Sequence, residues 1–125
     1  MPKLKLLVAE DSKSVQMFYR SVLSPELYET RIAPDGEQAL AEYKQWHPDV
    51  ILLDMNMPVL NGYQTLKTIR EQLKDKSTTI IMVTSASEKE DVIACAKLGI
   101  QGYIVKPFKA EAINEAIIRN HQQKK

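Results

Sequence analysis

Val50-Ile51-Leu52-Leu53-Asp54-Met55-Asn56-Met57-Pro58 decides the fold. A strand with one face in water alternates apolar and polar side chains, so an unbroken apolar run that ends abruptly describes a strand covered on both faces, the condition of a parallel sheet. The run stops at Asp54. A covered strand that terminates in a carboxylate delivers that carboxylate to one edge of a sheet.

Working outward, further short runs rich in apolar and β-branched residues occur at 4–9, 28–33, 79–83 and 102–105, which with 50–53 predict five strands. The segments between them carry helical spacing: Val15, Phe18, Tyr19 and Val22; Ala39, Leu40, Tyr43 and Trp46; Leu66, Ile69 and Leu73; Val92, Cys95 and Ala96; Ile113, Ala116 and Ile117. Asp35 three residues before Gln38, and Ser87 three before Glu90, predict helix starts, and Gly99 predicts a helix stop. Strict β-α alternation with short connections predicts an α/β fold, a doubly wound parallel sheet with helices on both faces and right-handed crossovers.

At 125 residues, 44% of them apolar, the chain is the size of one domain that buries its own core. The +1 formal charge gives no field that would draw in nucleic acid or an anionic membrane. Cys95, the lone cysteine, gives no sign of an oxidising compartment and falls on a helical stripe, where it reads as a core filler rather than a reactive thiol. No apolar run approaches membrane-spanning length and no signal peptide is visible, so the expectation is a cytoplasmic protein with no membrane contact. His47 and His121 read as solvated surface residues, and 122–125 as a frayed helix end.

In open parallel sheets ligands gather beyond the carboxyl ends of the strands. Those ends carry Glu10 and Asp11, Asp54, Thr84, and Lys106. Three carboxylates at one edge repel one another unless a hard cation joins them, and an all-oxygen donor set suits Mg²⁺. Asp54, at the centre of the edge, is the expected nucleophile towards a phosphoryl group, with Lys106 and Thr84 placed to neutralise its oxygens.

Ala9-Glu10-Asp11-Ser12, Asp54-Met55-Asn56-Met57-Pro58, Asn61-Gly62, Thr84-Ser85-Ala86 and Lys106-Pro107-Phe108 together resemble the response-regulator receiver domains of two-component signalling, over essentially the whole chain. The resemblance implies a flavodoxin-like (βα)5 sheet in the order 2-1-3-4-5. It also implies that Asp54 is the phosphoacceptor, that Glu10, Asp11, Asp54 and the backbone carbonyl of Asn56 hold Mg²⁺, and that Lys106 contacts the phosphoryl group. Thr84 and Tyr103 would form a switch that reshapes the face of the fourth helix, fifth strand and fifth helix. Pro107 would follow a cis peptide after Lys106, and Pro58 and Gly62 would shape the loop after Asp54. Glu10 stands where many members carry Asp, and Asn61 where Asp often precedes the glycine.

The expected function is a phosphorylatable signalling module, one receiver domain over 1–125 with no output domain. A histidine kinase or histidine phosphotransfer protein would donate the phosphoryl group, and a target protein would bind the switch face, with the chain a monomer or a phosphorylation-dependent dimer. Such a protein catalyses its own modification and is not otherwise an enzyme. Alternatives are a receiver cut from a larger regulator with a DNA-binding or enzymatic output, and a Mg²⁺-dependent aspartyl phosphatase. The phosphatase reading wants an Asp-x-Asp whose second Asp moves a proton, and position 56 is Asn. A flavin module would want a Ser/Thr/Gly-rich phosphate cradle after the first strand, where Glu10 and Asp11 would repel that phosphate.

Overall fold

A computed structural model describes residues 3–122, with the side chain of Gln122 outside the description; the expected frayed end therefore lies largely outside the described residues. The elements alternate as expected: β1 (Leu4–Ala9), α1 (Lys13–Val22), β2 (Tyr28–Ala33), α2 (Gly36–Trp46), β3 (Val50–Asp54), α3 (Gly62–Lys67), β4 (Thr79–Ser85), α4 (Lys89–Leu98), β5 (Gly102–Lys106) and α5 (Ala110–Gln122). All strand pairings are parallel, in the order β2-β1-β3-β4-β5. The chain steps from β1 outward to β2, then back across β1 to β3, so the ends of β1 and β3 flank the reversal in strand order.

The unbroken apolar runs are explained by the two cores they serve. Leu7, Ile51, Leu53, Ile80 and Met82 face Leu40, Tyr43 and Trp46 of α2, Leu66 and Ile69, and Cys95 of α4. Their sequence neighbours Leu6, Val8, Leu52, Ile81 and Val83 face Tyr19 of α1 and Ile113, Ala116 and Ile117 of α5. Cys95 is a buried filler, its thiol pushed up to about 11 by burial and then by Asp91.

Four local expectations are corrected. The third helix is not α-helical throughout: α3 runs on into a π-helical turn, Thr68–Gln72, closed by Leu73 N–H on the Thr68 carbonyl (2.9 Å). The extra residue in that turn carries Arg70 into the interior and leaves Leu73 exposed. Ser87 does not cap α4, which starts after Glu88, and its hydroxyl instead lies 2.9 Å from that of Ser85. Leu98 rather than Ala96 continues the buried stripe of α4, Ala96 being exposed. His121 is half-buried, with Nδ1 3.0 Å from the Thr79 hydroxyl.

Of the starts and stops read from sequence, Asp35 does cap α2, accepting from Gln38 N–H (2.8 Å), and Gly99 does end α4 at φ +107°. Asn61, unforeseen as a cap, makes a reciprocal pair with Gln64 at the start of α3, at 2.8 Å and 2.9 Å.

Candidate phosphoacceptor and metal site

Asp54 is the last residue of β3, held in register because the next N–H, that of Met55, donates to the Val83 carbonyl (2.9 Å). The loop after it folds back tightly. Gly62 N–H donates to the Met55 carbonyl (2.9 Å), and a Cβ on Gly62 would stand 2.4 Å from the Asp54 carbonyl oxygen, so only glycine lets α3 begin against the end of β3. Pro58 opens a three-residue turn in which Leu60 N–H donates to the Pro58 carbonyl (2.8 Å), with Val59 at φ +70°.

Glu10 follows β1 and is pinned along its length. Its N–H donates to the Ala33 carbonyl (2.9 Å), its carbonyl accepts from the Gln16 amide (2.6 Å), and its Oε2 accepts from Ser12 N–H (3.0 Å). Asp11 beside it is exposed, whereas Glu10 and Asp54 are only 1% and 4% exposed. One oxygen from each of Glu10, Asp11 and Asp54 lies within 4.8 Å of the others.

Lys106 ends β5 and reaches past β4 to these carboxylates, its Nζ 3.2 Å from Asp54 Oδ2 and 3.4 Å from Glu10 Oε1. The Lys106–Pro107 peptide is cis. Burial raises the Glu10 carboxyl above its ordinary value and the Asp54 charge adds to this, against lowering by Ser12 N–H and Lys106. Burial likewise raises Asp54, against lowering by Lys106 and by Asn56 N–H. Burial works to lower Lys106, but the two carboxylates outweigh it and hold the ammonium above its ordinary value. One ammonium set among three carboxylates leaves an excess of negative charge that a divalent cation would neutralise, and the donors are all hard oxygens. The residues present therefore fit Mg²⁺.

The remaining expected residues divide. Thr84, near the end of β4 and 1% exposed, donates to Glu88 Oε1 (3.0 Å), with the Ser85 carbonyl at 3.3 Å. The Asn56 side chain is likewise tied to Glu88, through Oε2. Tyr103 is apart from the carboxylates, 56% exposed on the outer side of β5, where it lines a groove of about 310 Å³ with Val92, Ile93 and Val105. A second groove, of about 490 Å³ and lined by Ser14, Val15, Phe18, Lys106, Pro107 and Phe108, opens between α1 and the loop after β5.

Glu88, which sequence reasoning did not single out, joins this edge through Asn56 and Thr84, and its signal is an acidic residue four positions after Thr84 at a strand-to-helix junction. Burial would raise its carboxyl, but hydrogen bonds from Ser85, Asn56 and Thr84 hold it below the ordinary value.

The family model of the response regulator receiver domain matches residues 6–118. The chain belongs to that family. This receiver domain is 39% identical over 120 residues to a probable transcriptional regulator, ycf27, of Porphyridium aerugineum, covering 96% of this chain and 48% of that protein. It thus spans about half the length of that relative. Among solved structures it is similar to the chemotaxis response regulator CheY4 of Vibrio cholerae (34% identity, TM-score 0.87, 95% of this chain and 99% of that one). It is also similar to the receiver domain of a sensor histidine kinase of Pseudomonas aeruginosa with a magnesium ion coordinated in the active site cleft (28% identity, TM-score 0.85, 97% and 99% covered). Receiver domains of two-component response regulators are signalling modules rather than conventional enzymes. Among the described residues of this one, no helix is long and apolar enough to cross a membrane.

Proposed function

We propose that this receiver domain takes a phosphoryl group onto Asp54 from a histidine kinase or histidine phosphotransfer protein and passes the signal on as a change of surface. The observation that carries the reading is the contact of the Lys106 ammonium with buried Asp54 (3.2 Å) inside a cluster of three carboxylates. A carboxylate oxygen of Asp54 forms the new O–P bond as the N–P bond of the phosphohistidine breaks, and the imidazole leaves. Glu10, Asp11, Asp54 and the Asn56 carbonyl would hold Mg²⁺, which supplies charge neutralisation on the phosphoryl oxygens. Lys106 neutralises a further oxygen, and Thr84 donates to another.

The groove between α1 and the loop after β5 lies beside Lys106 and suits the phosphoryl donor, being apolar with the reactive edge at its rim. The groove around Tyr103 belongs to the α4, β5 and α5 face and suits the target protein. Thr84 and Tyr103 couple the two, and Asp54 loses its phosphoryl group to water in the same site. The likeness to a whole-length chemotaxis regulator favours a cytoplasmic module acting alone, a monomer or a phosphorylation-dependent dimer, that does not itself bind nucleic acid. The 48% coverage of the ycf27 relative favours a second reading, in which the same switch controls an attached output domain.

Intact mass after incubation with acetyl phosphate and Mg²⁺ tests the chemistry. A single phosphoryl adduct is expected, absent without metal and absent in Asp54→Asn; an adduct that persists in Asp54→Asn refutes the assignment.

A further inference from the structure

A threonine hydroxyl has one proton to donate, and in this structure that of Thr84 is already committed. Its acceptor is Glu88 Oε1, at 3.0 Å, and the same oxygen accepts from Ser85 N–H at 2.7 Å. The other oxygen of Glu88 takes the side-chain amide of Asn56, from the loop after β3. One carboxylate therefore ties together the loops that follow β3 and β4, the two loops that flank Asp54. Glu88 stands at the N-cap of α4 yet gives that helix no side-chain hydrogen bond, its carboxylate being turned to the loops instead.

We propose that Glu88 is a positioning residue that latches the Thr84 hydroxyl onto the start of α4 in the unphosphorylated chain and is displaced when the phosphoryl group arrives. The proposal rests on the reading of Asp54 as phosphoacceptor and Thr84 as its hydroxyl donor. Two effects drive the displacement. The phosphoryl oxygens and Glu88 compete for a single proton, and a phosphoryl group brings roughly −1.5 to −2 charges at pH 7 towards a carboxylate of the same sign. Release also loosens α4, because Glu88 is the residue from which that helix starts, and Lys89, Val92 and Ile93 of its first turns line the groove around Tyr103. The Glu88 contacts thus connect the chemistry at Asp54 to a surface on the other side of β4.

Affinity for beryllofluoride, a phosphoryl mimic, measured by calorimetry with Mg²⁺ on the full chain, reads the latch directly. Glu88→Ala is expected to bind it about tenfold more tightly than wild type, a gain of about 1.4 kcal/mol, the worth of one hydrogen bond to a charged group. In a Thr84→Ala background the gain from Glu88→Ala should fall below about twofold, because the hydroxyl through which it acts is gone. Glu88→Gln, which keeps the side-chain length and a neutral acceptor, should gain less than Glu88→Ala, about threefold, and guards against a fold defect in the alanine variant. Unchanged or weaker binding in both Glu88 variants overturns the latch, as does an equal gain in the two Thr84 backgrounds, which is the mark of plain charge repulsion. A wild-type chain that takes up neither beryllofluoride nor acetyl phosphate overturns the phosphoacceptor reading and the latch with it, whereas a wild type that takes up both leaves the fault with the latch alone.

Discussion

The ammonium of Lys106 stands 3.2 Å from the carboxylate of Asp54, and the two come from strands that are not neighbours. That single cation faces two buried carboxylates, Asp54 and Glu10, both held above the ordinary carboxylate value chiefly by burial. A raised carboxyl value means that folding takes up protons, so stability falls as pH climbs from the ordinary value through the raised one. Asp54→Asn removes one of these groups. It should keep the fold and raise metal-free stability at pH 7 by on the order of 1 kcal/mol, the usual size of a single-site effect. Urea unfolding should show this gain shrinking towards pH 4 and closing when Mg²⁺ is added to wild type; a variant less stable than wild type at pH 7 would contradict it.

Gly62 carries a different kind of dependence. A Cβ there would meet the Asp54 carbonyl oxygen at 2.4 Å and Met55 Cα at 2.9 Å, and both are backbone atoms that cannot turn aside. Gly62→Ala must therefore push α3 away from β3 and should cost about 2–4 kcal/mol by thermal or urea unfolding. Because the strain falls on the peptide of Asp54 itself, the phosphoryl adduct from acetyl phosphate should form more slowly even in the fraction that remains folded. A loss below about 0.5 kcal/mol would show that the loop yields freely.

How far the sequence reveals this molecule depends on whether a residue's role is local. The strands were legible because Val50 to Leu53 is apolar on both faces and its four counterparts are rich in apolar and β-branched residues, and their ends located Glu10, Asp11, Asp54, Thr84 and Lys106 at one edge. The π-helical turn was not legible, because its cause is distant. Arg70 finds the carbonyls of Gly99 and Thr78, and the side chain of Gln101, only once α4 and β4 are in place. Glu88 was missed for a similar reason, since its meaning comes from Asn56, 32 residues away. His121 looked solvated because nothing near it in sequence announces Thr79.

Tyr103 offers a test that depends on the state of the site. Its ring is 56% exposed in this structure, so Tyr103→Ala should change stability by less than about 0.5 kcal/mol in the unmodified chain. If the ring turns inward when Asp54 is modified, the same substitution should cost about 1–2 kcal/mol with beryllofluoride and Mg²⁺ bound, the range for newly burying much of an aromatic side chain. Equal costs in the two states would remove Tyr103 from the switch and leave it as part of the docking face only.

Asp75 should respond to pH in the sense opposite to Asp54. It lies in the connection before β4, where its carboxylate accepts from Ser77 N–H (2.8 Å), Thr78 N–H (3.0 Å), the Thr78 hydroxyl (2.5 Å) and the Tyr43 hydroxyl. Burial alone would raise this carboxyl, but those donors outweigh it and hold it well below the ordinary range. A depressed value gives stability that is complete above the unfolded value of about 3.9 and is lost as pH falls through the folded one. Asp75→Asn turns an amide N–H₂ towards groups that are themselves donors, and should cost about 1–3 kcal/mol at pH 7. The gap between variant and wild type in urea unfolding should stay constant from pH 7 to pH 5 and narrow below about pH 4. A gap independent of pH would mean that shape, not charge, is what Asp75 contributes to the turn that also holds Arg70, whose Nη1 donates to the Asp75 carbonyl at 2.8 Å.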